Sequence, residues 1–112
     1  MFLHIDEARH LNDYKIEVIF NDGTKGVADL REALQGAVFE SLKDKALFSS
    51  FKVDHELGTI VWPNGVDMAP EYIFFLAFRT QLEFQERFRK WGYLTSKQNQ
   101  TATGQAIQKK AA

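Results

Sequence analysis

From Tyr14 to Phe20 the chain alternates. Tyr14, Ile16, Val18 and Phe20 carry large apolar or aromatic groups, and Lys15 and Glu17 fall between them. A period of two is the signature of a strand with one buried face. Asn21-Asp22-Gly23-Thr24 then supplies the αL-tolerant residues that a tight hairpin turn demands, and Lys25 to Asp29 reads as the returning strand. Leu3 to Ala8 is a more weakly patterned first strand. Asp29-Leu30-Arg31-Glu32-Ala33-Leu34 opens with a capping residue, continues with good helix formers and is stopped by Gly36. A second short helix is expected around Asp44 to Ser49, capped by Asp44, with Leu47 and Phe48 facing inward. Phe51-Lys52-Val53-Asp54 alternates again, His55 to Gly58 turns the chain, and Thr59-Ile60-Val61-Trp62 returns as a second hairpin. Pro63 removes a ladder donor and Asn64-Gly65 makes a turn, which ends that strand.

The period changes after Asp67. Asp67 suits an N-cap, Pro70 is tolerated in a first turn, and Glu71 complements the positive end of a helix dipole. No Gly or Pro occurs from Glu71 to Trp91, and Gly92 closes the run, so the pattern predicts one long helix over about 70–92. At about 100° per residue, Ile73, Ala77, Phe84, Phe88 and Trp91 share one side. Phe74 and Phe78 lie beside them, and Phe75 and Leu82 widen the arc beyond a half-circle. A helix resting on one sheet needs only about 100° of apolar surface. The excess predicts a homodimer through this helix, with Phe75, Phe78, Leu82, Phe84, Phe88 and Trp91 as candidate interface residues. Arg79–Glu83, Glu83–Arg87 and Glu86–Lys90 are spaced for i,i+4 ion pairs on the polar side. Trp62, just before the turn into this helix, is expected to cover its first turn near Ile73.

The fold class is therefore α+β. Two hairpins give a small antiparallel sheet, accompanied by short helices and one long C-terminal helix packed on it. Residues 1–94 form a single domain in this reading, and 95–112 form a polar, basic tail expected to be disordered. At 112 residues, 45% hydrophobic and 26% charged, the chain can bury a modest core without staples. Cysteine is absent, which removes disulfides and thiolate metal sites and favours a cytoplasmic location. No apolar run reaches the roughly 20 residues that span a bilayer, so no membrane association is expected.

The net charge of −1 conceals an asymmetry. Residues 1–86 hold all 15 acids against eight Lys or Arg, a balance of −7. Residues 87–112 hold Arg87, Arg89, Lys90, Lys97, Lys109 and Lys110 with no acid, a balance of +6. An acidic body with a basic end makes these six the candidate anion-contacting residues. A solvated helix end followed by a floppy tail explains the same charges, and six over that length is not a dense basic arm.

The hairpin, Val27-Ala28-Asp29-Leu30-Arg31, Phe39-Glu40-Ser41-Leu42-Lys43-Asp44 and Gly58-Thr59-Ile60-Val61-Trp62-Pro63-Asn64-Gly65 occur in an order that resembles the bacterial domain of unknown function 2442 family over roughly residues 3–75. The Trp-Pro-Asn-Gly turn is the most specific part of that resemblance. It implies a small α+β fold with an antiparallel sheet. Members occur alone, fused to helix-turn-helix domains, or beside a short partner in gene pairs that look like toxin–antitoxin modules. No catalytic residue comes with the resemblance, and the helix and tail after Glu71 exceed the shortest members.

Candidate chemistry is sparse. His4, His10 and His55 lack the spacings that bind catalytic zinc, although His4, Asp6 and His10 could share a metal. Ser41, Ser49 and Ser50 lack a nucleophile-elbow context. Gly23, Gly26, Gly58 and Gly65 read as turn glycines, since none feeds a phosphate-binding helix. Asp29 and Asp67 are better explained as caps than as an acid–base pair. No catalytic residue, cofactor or metal is expected, and the chain reads as a non-enzyme. The leading function is a small regulatory interaction module, antitoxin-like by family association, that binds a protein partner. A DNA-binding regulator using the basic end of a dimer is the alternative, with Tyr93 as the aromatic expected to stack on bases. An uncharacterised enzyme is the third.

Overall fold

The alternation from Tyr14 to Phe20 becomes the central strand of a three-stranded antiparallel sheet in the computed structural model, which describes residues 2–94. The strands are β1 (Ile5–His10), β2 (Lys15–Phe20) and β3 (Lys25–Asp29), in the order β1-β2-β3. Ile16, Val18 and Phe20 of β2 are buried, as the period of two requires. The β2–β3 turn has Gly23 at φ +88°, and the Asp22 carboxylate accepts from the Thr24 amide and hydroxyl. Asn21 also clamps the incoming chain: its amide donates to the His4 carbonyl, its side-chain oxygen accepts from the His4 amide, and its side-chain nitrogen donates to the Phe2 carbonyl. The register slips by a bulge between Ile5 and Glu7 of β1.

Between β3 and the second hairpin lie two single 3-10 turns, Arg31–Ala33 and Glu40–Lys43, and the short helix α1 (Lys45–Phe48). Asp29 accepts from the Arg31 amide but leads only into a 3-10 turn rather than a helix to Leu34. Asp44 caps α1 as expected, accepting from the Ala46 and Leu47 amides. Strands β4 (Lys52–Asp54) and β5 (Thr59–Val61) form a separate two-stranded sheet, joined to the first by the Ile5 amide donating to the Gly58 carbonyl at 2.8 Å. Trp62-Pro63-Asn64-Gly65 is a hydrogen-bonded turn with Gly65 at φ +88°. Asn64 fastens it from both ends of its amide, accepting from the Val66 backbone and donating to the Ser41 hydroxyl.

Trp62 is 1% exposed, and its ring lies 5.9 Å from Phe48 and 6.2 Å from Phe51. Its indole N–H donates at 2.8 Å to the Phe48 carbonyl, one of the four that the end of α1 leaves without a helical partner. Its hydrogen bond and aromatic contacts thus lie on the α1 side of the core. Helix α2 (Pro70–Phe78) buries Ile73, Phe74, Leu76 and Phe78 and packs along β3. Its Phe74 and Phe78 rings sit 5.0 Å and 6.3 Å from Phe20. Asp67 does not cap α2; it forms an antiparallel bridge with Val61, and the Ala69 carbonyl accepts the first helical bonds.

The turn between β1 and β2 carries a charge cluster that joins distant segments. Asp13, in the left-handed region at φ +48°, meets the Lys45 amine at 3.0 Å and the Arg31 guanidinium at 3.8 Å. Both cations also lie over the Tyr14 ring, whose hydroxyl donates to the Lys43 carbonyl. The hydrogen bond and charge of Lys45 hold the Asp13 carboxyl below the usual aspartate range. A depressed carboxyl contributes stability that is complete above its unfolded value, about 4, and fades as pH falls through the lower folded value. Carboxyl NMR titration should show this depression, and Lys45→Gln should move Asp13 back toward the ordinary range, with Arg31 and Lys15 still lowering it.

Candidate interaction surface

The run from Glu71 to Trp91 is not one helix. Helix α2 ends at Phe78, Arg79 and Thr80 turn, Gln81 is extended at ψ 123°, and a 3-10 turn (Leu82–Phe84) leads into α3 (Gln85–Trp91). The break is stabilised from within, because the two N–H bonds of the Gln85 side chain reach the Arg79 and Gln81 carbonyls at 3.0 and 2.8 Å. The chain divides at the same point into two compact units, one ending at Phe78 and one beginning at Arg79. The expected helix of about 70–92 is thereby corrected, and with it the continuous apolar stripe on which a helix-paired dimer depended.

The six candidate interface residues scatter accordingly. Phe78 is buried in the first unit, its ring 4.6 Å from Phe74 and directly over Gly26. Phe75 is half-buried and stacks on Tyr72. In the second unit Phe88 is buried between Phe84 at 6.4 Å and Trp91 at 6.1 Å. Phe84 and Trp91 stay partly exposed, and Leu82 is 89% exposed. Gly92 ends α3 at φ +89°, with the Tyr93 amide donating back to the Phe88 carbonyl, which sets Tyr93 at the edge of Trp91.

Arg87 lies on the aromatic surface of this unit. The Arg87 guanidinium lies 5.2 Å from the Phe84 ring centre and 5.8 Å from that of Trp91. Arg89 donates through two nitrogens to one oxygen of Glu86, at 3.2 and 2.8 Å, and thereby holds the Glu86 carboxyl below its usual range. Lys90 is exposed. Lys97, Lys109, Lys110 and the expected tail of 95–112 lie outside the described residues.

Residues 5–79 match the family described as Protein of unknown function (DUF2442). The chain belongs to the DUF2442 family. No curated protein and no solved structure matches it. The DUF2442 match stops where α2 ends, so the family portion and the first compact unit have nearly the same boundary. The aromatic surface from Leu82 to Tyr93 is carried beyond the family portion.

Within the first compact unit, the polar residues singled out by type serve in packing and turns. The His4 ring presses on Gly58, where an added Cβ would come within 2.7 Å of it. His10 hydrogen-bonds the Asp13 carbonyl through Nε2 and meets Phe48 edge-on. Ser49 and Ser50 donate to the Ala46 and Leu47 carbonyls of α1. Among the described residues no three His, Asp or Glu side chains gather to hold a metal ion, so His4, Asp6 and His10 are not brought together as a site. No helix among them is long and apolar enough to cross a membrane.

Proposed function

We propose that this chain is a non-enzymatic interaction module in which the DUF2442 unit is a scaffold and the unit beyond it presents a surface to a protein partner. The observation that carries this reading is Leu82, 89% exposed in the 3-10 turn that leads into α3, in the unit that also holds partly exposed Phe84 and Trp91 with the Arg87 guanidinium near both rings. Tryptophan, tyrosine and arginine are the residues most enriched at binding hot spots, and the exposed Leu82 adds apolar surface to the unit that carries Trp91, Tyr93 and Arg87. The antitoxin-like role implied by the family resemblance is one form of this function, with the partner encoded by the adjacent gene.

Co-expression of the full chain with that neighbour, followed by calorimetry, tests the reading. A stoichiometric complex that resists nuclease is expected. Leu82→Glu should weaken it by about tenfold or more, since a charge would be buried where an anchor sat. Wild-type affinity in that variant would remove Leu82 from the contact. If the complex instead contains nucleic acid and dissolves steeply with salt, the DNA-binding alternative replaces this one.

A further inference from the structure

We infer that β3 is the contact strand of a two-fold homodimer, joining two three-stranded sheets into one of six strands. This goes beyond the partner-binding role and does not depend on it. The warrant is the pattern of groups along the open edge. Leu30 donates to the Tyr14 carbonyl at one end of the β2–β3 ladder, and Phe20 donates to the Thr24 carbonyl at the other. With the register Ile16–Ala28 and Val18–Gly26 between them, the even-numbered residues of β3 spend their backbone groups on β2. Lys25, Val27 and Asp29 therefore aim both N–H and C=O away from the sheet. Among the described residues no backbone hydrogen bond reaches those groups. All three residues are exposed, Val27 at 43%.

Such an edge is normally a liability, and a lysine on it normally repels a second edge. Here the strand is complementary to itself. Antiparallel pairing centred on Val27 sets Val27 against Val27 of the second copy and Lys25 against Asp29 of the second copy, twice by symmetry. Each of the three pairs exchanges two backbone bonds, so every outward N–H and C=O is satisfied. Shifting the register by two residues leaves only two such pairs and sets a charge against Val27. Lys25 and Glu17 share the exposed face of the sheet, and the Lys25 amine leans back toward Glu17 of β2 at 3.8 Å, so pairing would draw it to the opposite side of β3, toward the arriving Asp29 carboxylate. Five-residue strands bury little area, which places the dimer in the weak class, with dissociation in roughly the micromolar range.

Charge exchange tests the register. Sedimentation velocity of the full chain, from about 5 to 500 µM, should show wild type moving from 12.9 kDa toward twice that mass. Lys25→Asp alone sets two Asp–Asp pairs across the axis, and Asp29→Lys alone sets two Lys–Lys pairs. Each should raise the dissociation constant by about tenfold or more. An equimolar mixture of the two variants restores both opposite-charge pairs and should dimerise again as a heterodimer, which also shows that both variants are folded. Val27→Cys supplies the only thiol in the chain and should cross-link readily under mild oxidation, while Val38→Cys, at an exposed site elsewhere, should not. Leu82→Glu should leave the sedimentation unchanged. A wild-type monomer at the highest concentration, single variants that dimerise like wild type, or equal cross-linking from both cysteines would overturn the inference.

Discussion

Trp62→Ala should cost about 3–5 kcal/mol of folding stability, a large share of the roughly 5–15 kcal/mol that holds a domain of this kind together. Two losses combine. The indole fills space against Phe48 and Phe51 at 1% exposure, so truncation leaves a cavity that the two neighbouring rings cannot fully close. The Phe48 carbonyl at the end of α1 also loses its donor. Trp62→Phe separates the two, since it keeps most of the ring but not the N–H, and should cost about 1–3 kcal/mol. Denaturant titration of the full chain measures both variants. A loss below about 1 kcal/mol for Trp62→Ala would mean that the ring is not a core member.

Gly26→Val should be comparably disruptive for the opposite reason. Gly26 lies on the inner face of β3 at an ordinary strand conformation, so its backbone would accept any side chain. The obstacle is Phe78 of α2, whose ring would stand 2.6 Å from an added Cβ. That ring cannot simply move, because Phe74 and Phe20 flank it. Overpacking of this kind costs about 1–3 kcal/mol, and the branched valine should reach the upper end, with alanine near the lower. In a Phe78→Ala background the penalty should shrink, with a coupling on the order of 1 kcal/mol or more. Equal penalties in both backgrounds would show that α2 and β3 do not meet through this pair.

Where the signals were local, the fold was readable from residue types. Alternation in Tyr14–Phe20, the Asn-Asp-Gly turn, the Asp44 cap and the Trp-Pro-Asn-Gly turn each act within a few residues, and each is present. The break in the helix was harder, because neither Gly nor Pro marks it. One signal was available. A continuous stripe running from Ala77 to Phe84 needs an apolar residue at 80 or 81, and Thr80 and Gln81 stand there instead. The Gln85 amide that secures the break gives no sequence pattern of its own. Position in space was the other gap. The direction of the Trp62 indole and the pairing of Asp13 with Lys45 depend on contacts between residues far apart in the chain. For the candidate surface, the aromatic residues were legible by type. Which were core and which were open was not, since burial of Phe78 and Phe88 follows from where the helix ends.

The chain has two tryptophans, and the division after Phe78 gives one to each unit. They sit in opposite surroundings: Trp62 is dry and hydrogen-bonded to a backbone carbonyl, and Trp91 is half-open beneath a guanidinium. Indole emission shifts to the blue in apolar surroundings and to the red beside water, so the native spectrum is a sum of two bands with different owners. Iodide should quench the red component first. Heating Trp62→Phe and Trp91→Phe variants would then give a separate optical melting curve for each unit, without any label.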